Sequence, residues 1–375
     1  MTMPELETTP NQATDPLSLR GIDYVEMYVG NARQAAHFYR TAYGFTPVAY
    51  AGLETGVRDR ISFVMQQRTI RLVLTGALAP DSPIAEHVKL HGDGVKDIAL
   101  EVDNVESAFA AAVARGATPL LKPTMIESKW GRVHKATIHA YGDTVHTFIQ
   151  RDEYTGTFLP GYHKVVDPPK AEPTGIAAID HMVGNVELGK MDEWVNFYAR
   201  VMGFSQLQQF TDDDISTEYS ALMSKVVQNG SGRIKFPINE PAEGRKKSQI
   251  DEYLDFYRGP GVQHIALITP DIIGTVRQLR DNGIQFLKTP DTYYMALAER
   301  IGAIDEDYDT LRELGILVDR DDEGYLLQIF TKPTGDRPTV FFEIIQRKGS
   351  QGFGAGNFKA LFQAIEREQE LRGNL

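Results

Sequence analysis

The chain has 375 residues, which exceeds a single ordinary domain and is enough for two. Its 42% hydrophobic and 24% charged residues are typical of a globular protein, and its net charge of −12 argues against nucleic acid or an anionic membrane surface as the main partner. The absence of cysteine excludes disulfides, thiolate catalysis and cysteine-based metal sites, so any metal must be held by nitrogen and oxygen ligands.

The N-terminal segment is polar and carries no apolar signal core. Residues 1–17 are therefore predicted to form a flexible arm. No run approaches the ~18 apolar residues of a membrane span, so no membrane association is predicted. The cytoplasm is the expected location.

A first domain is predicted over residues 18–155, with two successive strand–helix–strands units. Apolar and polar residues alternate over 21–29 as in a strand, and the periodicity of 31–43 predicts a helix. A strand over 95–102 then leads into an alanine-rich helix over 105–115, which Gly116 closes. The segments that follow each helix have the composition of strands.

A second domain is predicted over residues 177–375, after a linker. The linker, residues 156–176, contains four prolines and three glycines with little periodicity. Strands at 179–185 and 262–268 each lead directly into a helix, so the second domain also holds two strand–helix–strands units. If each unit forms half of a curved sheet, the two first strands should face one another across its opening.

The chain ends in a predicted amphipathic helix over residues 357–372, with Asn357 as its N-cap. One face is apolar and the other carries mainly charged residues. The glycines at 352, 354 and 356 precede it and are predicted to form a mobile hinge. A helix on such a hinge is predicted to be a lid.

The two halves are related by a repeat that differs at three matched positions. Ile22-Asp23-Tyr24 returns as Ile179-Asp180-His181, Val95-Lys96-Asp97 returns as Val262-Gln263-His264, and the stretch from Thr147 to Arg151 returns as Glu343 to Arg347. The first half therefore has Tyr24, Asp97 and Thr147 where the second has His181, His264 and Glu343. Two histidines and one carboxylate are the facial triad that holds Fe(II) and leaves positions open for substrate and O2.

Each of these three residues also has an ordinary structural interpretation, as a packed histidine or an inward ion-pair partner. The repeat favours a metal site, because burying all three ionisable groups without a counter-charge would be costly. The same ligand set also serves zinc, Mn(II) and Co(II), so ligand type favours Fe(II) without establishing it. The other seven histidines precede the second domain and are expected to be structural or surface residues: His37, His87, His91, His134, His139, His146 and His163.

Long motifs in the second half resemble the 4-hydroxyphenylpyruvate dioxygenase family of the vicinal oxygen chelate superfamily. They include Phe236-Pro-Ile-Asn-Glu-Pro241, Lys247-Ser-Gln-Ile-Asp-Glu252, Leu314-Gly-Ile-Leu-Val-Asp-Arg-Asp321, Leu327-Gln-Ile-Phe-Thr-Lys332, Phe341-Phe-Glu-Ile-Ile-Gln-Arg347 and Gly352-Phe-Gly-Ala-Gly-Asn-Phe358. The resemblance covers roughly residues 20–375 and is strongest in the C-terminal half. It implies an α+β fold of two tandem domains, each with two βαβββ-type units forming an open curved barrel sheet.

The resemblance also implies a site and a reaction. His181, His264 and Glu343 resemble the Fe(II) ligands, and Phe330 and Phe358 resemble the pair that sandwiches the substrate ring. The remaining matched positions are expected to surround the substrate: Gln249, Gln263, Gln328, Ser224, Asn239 and Phe341. The implied reaction converts 4-hydroxyphenylpyruvate and O2 to homogentisate and CO2 in tyrosine catabolism. A homo-oligomer, dimer or tetramer, is expected.

Three alternatives are weighed against this interpretation. The nearest is 4-hydroxymandelate synthase, which would use the same triad and substrate but hydroxylate the benzylic carbon; Phe358 and the run Pro237-Ile-Asn-Glu-Pro241 favour the dioxygenase. Extradiol catechol cleavage would need acid–base histidines beyond the two predicted ligands, and the second domain has none. A ligand-sequestering protein would not need the intact triad.

Overall fold

The computed structural model describes residues 15–211, 221–242, 246–295 and 297–374, and the strands of each half form one curved sheet. The elements of the first half are β1 (Leu19–Tyr28), α1 (Ala32–Tyr43), β2 (Thr46–Ala51), β3 (Arg60–Gln67), β4 (Ile70–Ala77), α2 (Pro83–His91), β5 (Gly94–Val102), α3 (Val105–Ala114), β6 (Pro119–Ser128), β7 (Gly131–His139), β8 (Val145–Gln150) and β9 (His163–Lys164).

The second half repeats this order and adds helices. Its elements are β10 (Ala178–Asn185), α4 (Met191–Met202), β11 (Ser205–Phe210), β12 (Ala221–Gln228), β13 (Lys235–Ala242), α5 (Gln249–Tyr257), β14 (Gly261–Ile268), α6 (Ile272–Asp281), α7 (Asp291–Met295), α8 (Leu297–Ile301), α9 (Tyr308–Leu314), β15 (Leu317–Arg320), β16 (Tyr325–Phe330), β17 (Phe341–Lys348) and α10 (Phe358–Arg372). None of the described helices is both long enough and apolar enough to cross a membrane.

Apart from the additional edge strand β9 in the first sheet, the two sheets have the same topology over the described residues. The strand order is β6-β7-β8-β5-β1-β4-β3-β2-β9 in the first and β11-β12-β13-β10-β14-β17-β16-β15 in the second. In each sheet the first strands of the two units are antiparallel neighbours, β1 with β5 and β10 with β14. The predicted α+β class, with two tandem domains of two βαβββ-type units and a C-terminal helix, is confirmed.

One expectation about this topology is wrong. The two first strands do not face one another across the opening, because they are hydrogen-bonded neighbours at the centre of one continuous sheet. In the second sheet His181 is paired with Ala266, and Val183 with His264. The two histidines therefore approach one another along the concave face of neighbouring strands.

Local sequence signals account for where the helices begin and end. The Asn31 side chain accepts a hydrogen bond from Gln34 N at the start of α1, and Gly44 at its end has φ +78°. Ser82 caps α2 in the same way, with Pro83 in its first turn. These signals place the helices that cover the outer faces of the sheets.

The two domains pack through aromatic residues. The ring of Phe342 lies 5.0 Å from that of Tyr43, and His146 of the first domain stacks on Phe236 at 5.6 Å. His146 Nε2 is also 2.8 Å from the hydroxyl of Tyr198. The domains therefore share a buried boundary.

The predicted N-terminal arm falls mostly on residues 1–14, which lie outside the described residues. Of its last three residues, Leu17 is buried in the core. The boundaries at 155 and 177 and the intervening linker stay predictions.

Candidate metal centre

The three predicted ligands meet in the second domain on three adjacent strands. His181 lies on β10, His264 on β14 and Glu343 on β17, and all three are buried. Glu343 Oε2 lies 3.2 Å from His181 Nε2 and 3.3 Å from His264 Nε2. The sheet order β10-β14-β17 thus brings together ligands that are far apart in the sequence.

Hydrogen bonds orient both imidazoles toward the carboxylate. His181 Nδ1 donates to Asp180 Oδ1 at 2.8 Å, and His264 Nδ1 donates to Gln263 Oε1 at 3.0 Å. With Nδ1 protonated, each neutral ring presents the Nε2 lone pair to the same point. Two lone pairs and a carboxylate so arranged fit a divalent cation, which binds neutral imidazole and ionised carboxylate.

The charges of the three groups are coupled. Burial raises the pKa of Glu343, but the two imidazoles, His181 foremost, lower it by more, and the resulting pKa is about 2. Burial lowers the pKa of His264 despite its contact with Glu343. Burial also opposes protonation of His181, yet Glu343 and Asp180 together raise the pKa of that imidazole. The site therefore keeps an ionised carboxylate ready for a cation.

A buried ion pair supports His181, and the sequence interpretation did not assign it. Arg347 donates from Nη2 to Asp180 Oδ1 at 2.7 Å and from Nε to Asp180 Oδ2 at 2.8 Å. Arg347 also lies over the ring of Phe353, which packs on His181 at 5.0 Å. In the sequence, Asp180 directly precedes the predicted ligand His181, and this position could have indicated that its carboxylate supports the histidine.

A chain of hydrogen bonds connects Glu343 to the start of α10. Gln328 Nε2 donates to Glu343 Oε1 at 3.1 Å, and Asn357 Nδ2 donates to Gln328 Oε1 at 2.8 Å. Tyr293 then donates to Asn357 Oδ1 at 2.6 Å. Asn357 occupies the predicted N-cap position of α10, but its side chain makes no capping bond and instead takes part in this chain of hydrogen bonds.

The close approach of the chain to Gln328 requires glycine at one position. Gly354 has φ +78°, and a Cβ there would overlap the Gln328 amide. Glycine at this position therefore keeps the segment before α10 against the site.

All eleven predicted site residues line one cavity of about 70 Å³ beside the carboxylate: His181, His264, Glu343, Phe330, Phe358, Gln249, Gln263, Gln328, Ser224, Asn239 and Phe341. Phe341 stacks on His264 with the ring centroids 4.9 Å apart, and Phe330 meets His264 edge-on at 6.0 Å. Phe358 packs edge-on against Phe210 at 4.8 Å. The individual roles of the non-ligand residues stay predictions.

The cavity has further apolar walls that the sequence interpretation did not assign: Val183, Phe210, Leu222, Val226, Pro237, Phe353, Leu361 and Phe362. Phe353 lies among the glycines predicted as a mobile hinge, yet it is buried. The spacing of these apolar residues is that of any core strand or helix, so no local signal distinguished them.

The matched positions of the first domain are filled by a hydrogen-bonded core. The Tyr24 hydroxyl lies 3.2 Å from Asp97 Oδ2, and Thr147 N donates to Asp97 Oδ1 at 3.0 Å. Burial raises the pKa of Asp97 to about 7, against the lowering effect of Thr147. These side chains satisfy one another and do not form a two-histidine, one-carboxylate set.

Comparison with known proteins agrees with this geometry. The family model "Glyoxalase/Bleomycin resistance protein/Dioxygenase superfamily" matches residues 21–150 and 178–329. The chain is 48% identical over 392 residues to a 4-hydroxyphenylpyruvate dioxygenase of Yarrowia lipolytica, covering 99% of this chain and 100% of that protein. It is 49% identical over 367 residues to one of Dictyostelium discoideum, covering 95% of this chain and 100% of that protein.

A solved structure is also similar. A triple mutant of 4-hydroxymandelate synthase from Streptomyces coelicolor superposes with a TM-score of 0.84 at 37% identity, covering 95% of this chain and 100% of that one. The identity to the two dioxygenases is higher than to this synthase. The chain therefore belongs to the glyoxalase, bleomycin resistance protein and dioxygenase superfamily and, within it, to the 4-hydroxyphenylpyruvate dioxygenase family.

Proposed function

We propose that this protein converts 4-hydroxyphenylpyruvate and O2 to homogentisate and CO2, with Fe(II) held by His181, His264 and Glu343. The observation that carries the proposal is the buried set of these three side chains at the wall of an aromatic cavity. The names of the relatives, each similar over nearly the whole chain, support the substrate. Degradation of tyrosine is the biological setting that follows.

The ligand set favours iron among the divalent metals. Three nitrogen and oxygen ligands on one face leave positions open, as in non-haem Fe(II) oxygenases. Fe(II) bound there would supply O2 activation, and the α-keto acid would supply the electrons to O2 through its own oxidative decarboxylation. The substrate carries its own α-keto acid, so no separate 2-oxoglutarate is needed.

The protein's own residues bind and orient the substrate. Phe330 and Phe358, which both line the cavity, would contact the faces of the phenol ring, and Phe341 lies against His264. The polar residues on the wall offer hydrogen bonds to the phenol and the keto acid: Gln249, Gln263, Gln328, Ser224 and Asn239. Because the cavity walls are mainly apolar, they also exclude water from the reaction.

The small size of the cavity supports the prediction that the C-terminal helix α10 is a lid. At about 70 Å³ it is well below the ~300–1,000 Å³ of pockets that hold drug-sized ligands. Since Phe358 and Leu361 of α10 line it, outward movement of this helix would enlarge it. Truncation before Gly352 should abolish product while iron remains bound, and unchanged turnover would refute a lid.

The decisive experiment is anaerobic reconstitution with Fe(II), followed by 4-hydroxyphenylpyruvate and air without 2-oxoglutarate. Products are resolved by chromatography against standards, because homogentisate and 4-hydroxymandelate are isomers. Homogentisate with one CO2 per O2 is the expected result. Absence of oxygen uptake by the iron-loaded protein would favour a ligand-sequestering protein.

The second candidate function is 4-hydroxymandelate synthesis, which the structural similarity to that synthase favours. The two reactions differ in the carbon that is hydroxylated, so the shape of the aromatic wall decides between them. Phe358→Ile should shift part of the product toward 4-hydroxymandelate. An unchanged product ratio would contradict a steering role for Phe358.

A homo-oligomer, dimer or tetramer, and a cytoplasmic location remain predictions.

A further inference from the structure

A second group of potential metal ligands lies in the first domain, at its boundary with the second. His87 and His91 are four residues apart on α2, so their rings share one face of the helix, with centroids 4.5 Å apart. Asp143 lies in the turn between β7 and β8 and completes the group. One ligand atom of each residue lies within 4.8 Å of the others.

The orientation of His91 is that of a metal ligand. Its Nδ1 lies 2.5 Å from the backbone carbonyl oxygen of Tyr257 in α5, so Nδ1 carries the proton and donates. A neutral His91 then presents the Nε2 lone pair to Asp143 Oδ2, which is 2.8 Å away. A lone pair and a carboxylate at this separation need a proton or a cation between them. Backbone carbonyls commonly hold metal-binding histidines in this tautomer.

His87 supplies a second, independent observation. Its ring is 6% exposed, and its buried Nε2 has no hydrogen-bond partner among the residues that the structure describes. An unpaired buried polar atom is costly unless something occupies it.

We propose that His87, His91 and Asp143 form a second metal site, for a divalent transition ion such as Zn²⁺. Two imidazoles and one carboxylate leave the fourth tetrahedral position to water. The site borders a cleft of about 1220 Å³ between the domains, which gives an ion access. Through the bond from His91 to Tyr257, a bound ion would connect α2, the β7–β8 turn and α5. Its role would therefore be to hold the two domains together.

The positive charge of Lys96 opposes metal binding at this site and lowers its expected affinity. Lys96 Nζ donates to the backbone oxygen of Asp143 at 2.5 Å, so its positive charge lies beside the proposed ion. The proposed site should therefore bind metal more weakly than the triad in the second domain.

The test is metal stoichiometry, which needs no turnover and so does not depend on the proposed reaction. Protein equilibrated with buffered Zn²⁺ is freed of excess metal, and bound zinc is measured by mass spectrometry. The wild-type chain should bind two equivalents, and Asp143→Asn and His87→Gln one each. The double variant His181→Gln/His264→Gln should also retain one. Asp143 is exposed, so Asp143→Asn should fold normally.

The matched control is His134→Ala, because His134 forms a surface pair with Glu106 at 3.1 Å and belongs to neither three-residue group. It should still bind two equivalents. In the double triad variant, Zn²⁺ should raise the thermal midpoint, and adding Asp143→Asn should abolish the rise. One equivalent in the wild type with none in the double triad variant would overturn the proposal. So would two equivalents in Asp143→Asn and His87→Gln alike.

Discussion

Replacing Asp180 by Asn should weaken metal binding although Asp180 is not itself one of the proposed metal ligands. Asp180 accepts the Nδ1 proton of His181 and two hydrogen bonds from Arg347, and its side chain is 5% exposed. Although burial raises the pKa of Asp180, Arg347 and His181 lower it well below its usual range, so the carboxylate is ionised. Asn keeps one oxygen that can accept the Nδ1 proton of His181. It removes the negative charge that raises the basicity of this imidazole, and its NH2 group cannot accept a hydrogen bond from Arg347.

Two magnitudes follow from this geometry. Loss of an outer partner of a ligating histidine weakens metal affinity by about 10- to 100-fold. Breaking a buried ion pair costs about 3–5 kcal/mol of stability. The lower end is expected here, because Arg347 also donates to the backbone oxygen of Gly352 at 2.6 Å and stays partly satisfied.

Anaerobic calorimetry with Fe(II), or with Co(II) as a spectroscopic substitute, measures the metal affinity. Urea unfolding of the metal-free protein measures the free energy of unfolding.

The first domain provides a matched control. Asp23 pairs with Arg151 at 2.5 Å and is equally buried, but Tyr24 follows it instead of a histidine. Asp23→Asn should lower stability yet leave the affinity of the second-domain site unchanged. Equal affinity losses in both variants would refute the reasoning, as would a fully retained affinity in Asp180→Asn.

Three further predictions concern other parts of the molecule. Burial lowers the pKa of His146 to about 4, so the unfolded chain takes up the proton first and stability falls as pH falls from 6.5 toward 4. This loss is about 2 kcal/mol between pH 7.5 and 5, and urea titrations of His146→Gln should lack it. Asn357→Ala breaks the bond to Gln328 and should lower oxygen uptake about tenfold at unchanged iron content. Glu252→Gln breaks the two-bond pair with Arg372, so limited proteolysis should cut α10 faster than in the wild type.

The repeat made this buried three-residue group predictable, because it aligned His181, His264 and Glu343 with three residues of other chemistry on the same scaffold. Side-chain directions in irregular segments were not predictable in this way. Asn357 precedes a helix and has the composition of an N-cap, but its side chain is bonded to Gln328. Phe353 lies among glycines and packs on His181. Both outcomes depend on contacts between segments distant in sequence, which local propensity does not contain.

An equivalent aspartate–arginine ion pair is present in both domains, although the side chains on the inner face of each sheet differ. Asp23–Arg151 connects β1 to the residue that follows β8, and Asp180–Arg347 connects β10 to β17. Each arginine also lies over a phenylalanine ring, Phe158 or Phe353. Since the first domain has this pair without the two-histidine, one-carboxylate set, a structural role is sufficient reason for it. In the second domain the same carboxylate also accepts the Nδ1 proton of His181. A contact that both domains share thus orients a proposed metal ligand in the second domain.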